Sequence, residues 1–346
     1  MKKQEILISI IVPAYNMEAY LDRCLVSLLH QDLDTECYEI IIVNDGSTDS
    51  TEAICQDYAR NYHHIRVISK INEGQSVARN IGVMNAKGLY VCFVDADDYL
   101  SEKGLALLLP YCDGDYDLIR FWCNIVHPHT KSQFTPVNIV ETFCGDGLDY
   151  IRHYGLETFC WNWLYKREFL ANCHLKFVPR LIGEDFRFMT DVLFANPFVV
   201  SISLRIYNYI IRSDSISTRR SKNHSRQWVE DLSKTICYVN ERTESYRQSD
   251  AILYTQIRHS LELKFVSLTS RCLSADYSLK EFRSIFVMFK TIDLLPLRII
   301  GESLRLRLVR CAINTLYKMP LLYLPAKFIY CQFFLRFIYP KLDRNG

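Results

Sequence analysis

The chain has no G-x-G-x-x-G after its first apolar run and no glycine-rich lysine loop anywhere in its 346 residues. A dinucleotide dehydrogenase and a P-loop ATPase both need such glycines for backbone contact with phosphate, so neither class fits. There is no C-x-x-C among thirteen scattered cysteines, which argues against a zinc site or a thioredoxin motif. Cys24, Cys55 and Cys92 sit inside apolar patterns and read as small hydrophobes kept reduced in a cytosol. Long hydrophobic runs are also missing. The longest uncharged stretches near the end, Met319 to Ala326 and Phe328 to Leu335, are eight residues each, whereas a membrane-spanning helix needs about 20. No internal repeat is visible, and beyond Ser221 there are few glycines and no low-complexity run.

What is present is a globular composition, 49% hydrophobic and 23% charged, long enough for two packed units at about 150 residues each. The net charge of +2 hides an asymmetry. From Leu297 onward nine basic residues face only Glu302 and Asp343, a local balance of +7 that leaves about −5 elsewhere. Leu, Ile, Phe and Tyr are interleaved with those cations, which suits an anionic membrane surface better than nucleic acid. Leu304, Leu308, Cys311 and Ala312 mark one face of a helix there. The competing reading is that these residues cover another part of the protein or a dimer contact. Met1-Lys2-Lys3 and the apolar run after it loosely imitate a signal peptide, but the run is short and Pro13-Ala14-Tyr15-Asn16 follows it, so it reads as a first strand.

Strand and helix then alternate. Ile6 to Val12, Tyr38 to Val43, Ile65 to Ser69 and Leu89 to Val94 are apolar, β-branched runs. Between them lie helical patterns carrying Leu21, Cys24, Leu25 and Leu28; then Ala53, Ile54 and Tyr58; then Val77, Ile81 and Met84. Asn16 is a candidate cap for the first helix, and Thr48, Asp49 and Ser50 for the second. Four such alternations with short connections predict an α/β, doubly wound, mostly parallel sheet. Further strands are expected at Asp117 to Trp122 and Val199 to Ile211, with a short helix over Asp146 to Tyr154 and helices to the end from about Ser221.

The chemistry concentrates where the fourth run meets Asp95-Ala96-Asp97-Asp98. Three carboxylates within four positions repel one another unless a cation sits among their oxygens, and the carboxyl end of a buried strand is where open α/β sheets bind ligands. A solvated acidic turn is the plain alternative. Further on, Glu184 and Asp185 open a helical pattern, where carboxylates answer the helix dipole. Tyr15 offers an aromatic face or packs beneath its loop. Asp45 in Asp-Gly can accept from a ligand N–H or make an Asx turn.

Five stretches in fixed order resemble the inverting family 2 glycosyltransferases of GT-A fold: Ser9 to Asn16, Ile42 to Asp49, Asn72 to Asn80, Asp95 to Asp98, and Gly183-Glu184-Asp185. The resemblance covers residues 5 to about 215. It implies a Rossmann-like, mostly parallel sheet flanked by helices, a catalytic domain over 1–220 with its nucleotide-binding half at about 1–100 and acceptor half at about 101–220, and a helical region over 221–346.

It further implies a nucleotide-sugar donor, UDP the expected nucleotide, held by Pro13, Ala14, Tyr15, Glu18, Asp45, Asn72, Arg79 and Asp95. Asp97 with Asp95 would bind Mn²⁺ or Mg²⁺, Asp185 would be the catalytic base, and Asp98 and Glu184 would give support. The acceptor would be a saccharide or lipid-linked saccharide in capsule, exopolysaccharide or O-antigen assembly. The enzyme would be cytoplasmic, peripheral on the inner face of the membrane. The sequence departs from the family in having Trp163 where many relatives carry lysine, and it lacks the Q-x-x-R-W of processive synthases. Arg219, Arg220 and Lys222 are either a diphosphate clamp or a solvated run, and His127 and His129 read as surface histidines. Two competing functions are a non-catalytic sugar-nucleotide or carbohydrate-binding protein of the same fold, and a nucleotidyltransferase. The second wants a glycine-rich basic loop where Pro13-Ala14-Tyr15 stands.

Overall fold

A computed structural model describes residues 6–126, 140–212, 221–275, 277–298 and 304–329. The chain divides into two compact units, residues 1–150 with 157–212, and residues 151–156 with 213–346.

In the first unit, β1 (Ile8–Ala14) and β2 (Tyr38–Asn44) are buried at every position. Unbroken burial, rather than alternation, marks central parallel strands covered by helices on both faces. α1 (Leu21–Leu29) connects them and buries Leu21, Cys24, Leu25 and Leu28, the stripe its sequence displays. α2 (Thr51–Asn61), β3 (Ile65–Ser69), α3 (Gln75–Asn85) and β4 (Tyr90–Phe93) complete the alternation. β2 and β4 both pair parallel with β1, and β3 pairs parallel with β2. The chain order reverses beside β1, and its carboxyl end therefore borders the crevice where such sheets bind ligands.

The rest of the unit comprises β5 (Tyr99–Leu100), α4 (Leu109–Cys112), β6 (Leu118–Val126), β7 (Glu141–Asp146), the first half of α5 (Gly147–Tyr154), β8 (Trp163–Lys166), α6 (Arg167–Asn172), α7 (Glu184–Phe194) and β9 (Phe198–Ile210). The sheet runs β3-β2-β1-β4-β8-β6-β9-β5, with β7 on β9. From β4 outward it becomes mixed: β8 is antiparallel to β4 and β6, while β9 is parallel to β6.

Three local expectations are corrected. Asn16 does not cap α1, whose N-cap is Tyr20. Asn16 instead adopts φ 53° and accepts the Thr48 amide on Oδ1 at 2.8 Å, joining the loops after β1 and β2. In α2 the buried residues are Thr51 and Cys55, and Ala53 is exposed. In α3 the inward face is Ser76, Ala78, Arg79 and Gly82, not Val77, Ile81 and Met84; Met84 is 78% exposed. Close approach explains the reversal, since a Cβ at Gly82 would lie 2.3 Å from Ile11 Cγ2. Gly82 is the point of contact with β1, and Val77 and Ile81 are left half-buried at the sides of the helix.

The second unit holds α8 (Lys222–Thr243), α9 (Ala251–Ser274), α10 (Leu279–Thr291), α11 (Leu304–Lys318) and α12 (Tyr323–Ile329). Asp250 caps α9 by accepting the Leu253 amide, and Ser278 with Glu281 forms a capping box on α10. The core is aromatic, with Phe265, Phe286 and Phe289 in edge contacts and Phe282 stacked on Tyr323 at 4.1 Å. On α11 the buried residues are Ile313 and Leu316, while Leu308, Cys311 and Ala312, expected as an apolar face, point outward. The side chain of Leu304 lies outside the described set, as do Arg219, Arg220, His127 and His129.

Gly82→Ala is expected to lower the stability of this fold by about 1–3 kcal/mol through overpacking, despite alanine's better helix propensity. In a unit of this size that is a fall of several degrees in Tm. An unchanged or raised Tm in a thermal melt would show that α3 can move off β1 at no cost.

Candidate functional site

Beyond β4 the chain turns at Asp95-Ala96-Asp97-Asp98, and each carboxylate faces a different partner. Asp98 is 1% exposed. Its Oδ2 accepts the Tyr207 hydroxyl at 2.7 Å and its Oδ1 the Ile210 amide at 2.7 Å, so it pins the acidic turn to β9. Burial, reinforced by Asp97 and Asp95, pushes its carboxyl up to about 8. Asp95 Oδ1 accepts from Arg79 Nη2 at 2.8 Å and Gln75 Nε2 at 2.9 Å. Asp97 Oδ2 accepts from Arg212 Nε at 2.6 Å, and its carbonyl accepts from Arg23. Burial and Asp95 raise the Asp97 carboxyl, with Arg212 opposing.

Ligand oxygens of all three lie within 4.8 Å of one another. Asp95 Oδ2 and Asp97 Oδ1 stay outside the pairs with Arg79 and Arg212. An all-oxygen, carboxylate-rich set with two oxygens to spare fits a hard divalent cation such as Mg²⁺ or Mn²⁺.

The second acidic pair arrives from the far half of the sheet. Gly183, at φ 76°, takes the left-handed conformation that begins α7, placing Glu184 and Asp185 in its first turn. Arg79 gathers them. Its Nη1 donates to Asp185 Oδ1 at 2.6 Å and Glu184 Oε1 at 2.8 Å, while Nη2 holds Asp95. One guanidinium, 1% exposed, thus joins the acidic turn after β4 to the start of α7. Arg79, expected to reach a base or phosphate of the donor, has its guanidinium bonded in this structure to the three carboxylates. Burial raises Asp185, against the pull of Arg79, and Cys160 Sγ lies 3.3 Å from its Oδ1. Glu184 is pushed up to about 7 by burial and by Asp185.

The remaining candidates surround the ends of β1 and β2. Pro13 and Ala14 are buried within β1, and Tyr15 emerges 44% exposed. Asp45 is buried, and it is Asn44 that braces the turn after β2, its Oδ1 accepting the Ser47 amide. The carboxylate of Asp45 accepts from Lys70 Nζ at 2.5 Å, the Glu73 amide at 2.9 Å and the Gly74 amide at 2.8 Å, holding the loop that leads into α3. Glu18 Oε2 accepts the Ser50 amide at 2.9 Å, and Asn72 is exposed on the loop that Asp45 holds.

Several site residues were not anticipated. Arg212 lies two residues past the end of β9, and a cation at a strand's carboxyl end was the available signal. Gln75 lies inside the Asn72 to Asn80 stretch and Lys70 just before it, where Asn72 and Arg79 drew attention instead. Tyr207 and Cys160 had no local signal. Trp161 stacks on Tyr207 at 4.2 Å and on half-exposed Phe159 at 5.0 Å, an aromatic ladder leading to Asp98. Trp163, in contrast, is fully buried in β8 and packs on Tyr150, so it offers no surface where relatives carry lysine.

Residues 9–172 match the family model described as Glycosyl transferase family 2. The chain is 30% identical over 236 residues to YibD of Escherichia coli (strain K12), an uncharacterized glycosyltransferase, covering 64% of this chain and 68% of YibD. The chain belongs to glycosyl transferase family 2. It is also similar to the GalNAc(5)-diNAcBac-PP-undecaprenol beta-1,3-glucosyltransferase of Campylobacter jejuni, at 23% identity over 88% of this chain and 98% of that one. S. aureus TarS 1-349 in complex with UDP-GlcNAc superposes with a TM-score of 0.60 at 21% identity, covering 83% of this chain and 80% of TarS, a likeness of fold. The architecture is that of the GT-A glycosyltransferases.

The raised Glu184 carboxyl has a consequence for this transferase's stability. A group whose folded value, about 7, exceeds its ordinary 4.5 stabilises the fold fully below 4.5, and that contribution is lost as pH rises through 7. Glu184→Gln should remove this slope. The stability of the variant relative to wild type is expected to rise by on the order of 3 kcal/mol between acidic and neutral pH. Urea unfolding in metal-free buffer measures it, and an unchanged difference would mean that Glu184 titrates in the fold as it does in the unfolded chain.

Proposed function

We propose that this glycosyltransferase moves a sugar from a UDP-sugar to a hydroxyl of a saccharide or lipid-linked saccharide, with inversion at the anomeric carbon and with Mg²⁺ or Mn²⁺ bound. The pathway is assembly of a bacterial surface polysaccharide: capsule, exopolysaccharide or O-antigen. One observation carries the reading: Asp95 and Asp185, expected on opposite sides of the reacting sugar, bond to the same buried guanidinium of Arg79. Inversion needs a leaving-group side and a base side that close together. The nucleotide follows the UDP-GlcNAc bound by TarS, and the lipid-linked acceptor follows the undecaprenol-linked substrate in the Campylobacter jejuni enzyme's name.

Tyr15 gives the base an aromatic face, while Pro13, Ala14, Glu18 and Asn72, with the loop held by Asp45, shape the pocket around base and ribose. Asp95 and Asp97 hold the cation. The bound ion supplies positive charge against the diphosphate as the glycosidic bond breaks. Asp185 accepts the proton of the incoming acceptor hydroxyl. Arg79 opposes the effect of burial on the Asp185 carboxylate and fixes its position relative to Asp95. Arg212 holds Asp97, and Asp98 with Glu184 supports the two ends. The enzyme works peripherally at the inner face of the cytoplasmic membrane; among the described residues no helix is long and apolar enough to cross one.

A panel of nucleotide sugars, with and without Mn²⁺, should show metal-dependent turnover with a UDP-sugar. Asp97→Ala is expected to abolish it while the protein stays folded, and full activity in that variant or in excess chelator would remove Asp97 from metal binding. Asp185→Asn should slow turnover by about 10²-fold or more with donor affinity little changed. A near-normal rate would exclude Asp185 as base, and donor binding without any turnover in wild type would favour a non-catalytic binding protein.

A further inference from the structure

The second unit exposes an apolar corner that its own fold holds rigidly outward. Tyr323 is fully buried at the start of α12, its hydroxyl hydrogen-bonded to the carbonyls of Cys272 and Tyr277 at 3.2 and 3.0 Å. With that anchor fixed, neighbouring side chains cannot turn in. Met319 is 56% exposed, Leu321 71%, Leu324 57%, Phe328 64% and Ile329 58%. A cluster of five large apolar side chains is a binding surface by default, whereas scattered single ones need no explanation.

Beside this corner, α10 and α11 border a groove of about 540 Å³, floored by Phe282, Phe286 and Leu316 and edged by Arg283, Lys290 and Lys318. Among the described residues no carboxylate lines it. Among the described residues none of the three cations is paired with an acid. The sequence from Ser303 to Leu342 contains no Asp or Glu at all. An apolar surface edged only by positive charge selects an occupant that is itself apolar and anionic. A second copy packed face to face would set these cations against their own kind.

We propose that the corner Met319–Ile329 inserts into an anionic phospholipid surface, with Arg283, Lys290 and Lys318 meeting headgroup phosphates and the groove taking apolar chain. This deepens the peripheral-membrane reading above and rests on it. It also locates attachment on a defined corner, rather than on the basic tail at large. Insertion of aliphatic and aromatic side chains combined with cation–phosphate attraction should give binding that depends on lipid charge and weakens with salt.

The test is sedimentation of the full chain with vesicles of phosphatidylcholine alone, or of phosphatidylcholine mixed with phosphatidylglycerol. Wild type should bind the mixed vesicles about 10-fold or more tightly than the neutral ones. The double variant Leu321→Asp, Phe328→Asp should lose most binding to both. The triple variant Arg283→Glu, Lys290→Glu, Lys318→Glu should lose the preference for phosphatidylglycerol. Equal binding by wild type and both variants would overturn the proposal, as would no binding by wild type. So would a lipid-free dimer that the double variant dissociates, which would assign the corner to a second copy. Turnover with a soluble acceptor is measured alongside. If it persists without lipid binding, this proposal alone fails; if lipid binding persists without turnover, the transfer reading fails instead.

Discussion

The catalytic unit depends on one buried positive charge. Asp95, Glu184 and Asp185 would repel one another strongly in a site this dry, and Arg79 is the group that makes their approach tolerable. Bringing a guanidinium out of water costs several kcal/mol, and the return comes only if its partners are well aligned. Three contacts between 2.6 and 2.8 Å provide that alignment. The arrangement is more than a stabilising pair. It ties the carboxyl end of a parallel strand to the amino end of a helix ninety residues later, and so fixes the distance between them.

Much of the surrounding structure serves that placement. Gly82 lets α3 lie close enough to β1 for Arg79 to reach inward. Gly183 turns the chain so that α7 begins with its carboxylates toward the guanidinium. Asp98, held by Tyr207 and Ile210, locks the acidic turn to β9, and Arg212 at the end of β9 returns to neutralise Asp97. The two arginines divide the work: Arg79 serves the side facing α7, Arg212 the side facing the end of β9. The ladder of Phe159, Trp161 and Tyr207 then runs from surface to cluster, and rigid aromatic stacking keeps Asp98 from relaxing away from its neighbours.

The helical unit follows a different logic. Its core is a knot of phenylalanines closed by Tyr323, and the corner built on that tyrosine spends apolar side chains on the outside. Leu321 and Phe328 stand outside that core, 71% and 64% exposed, on the corner proposed above to enter an anionic bilayer.

How much of this was legible in the residues follows from the range of each interaction. Periodicity and composition determined the alternation of strands and helices through β4, the buried stripe of α1, the acidic turn and the start of α7, because those depend on neighbours a few positions away. Family resemblance brought the same carboxylates into one hypothesis. Only the tertiary structure decided that α3 presents Arg79 and small residues rather than its apolar stripe, that Asp45 clamps a loop while Asn44 makes the turn, that Trp163 is core, and that β8 enters the sheet antiparallel. Each of these turns on what a distant segment places against the residue, and a local pattern cannot carry that: α3 turns its small-residue face to β1 because Gly82 meets Ile11 there, and Arg79 is buried where three acids from two other elements meet it.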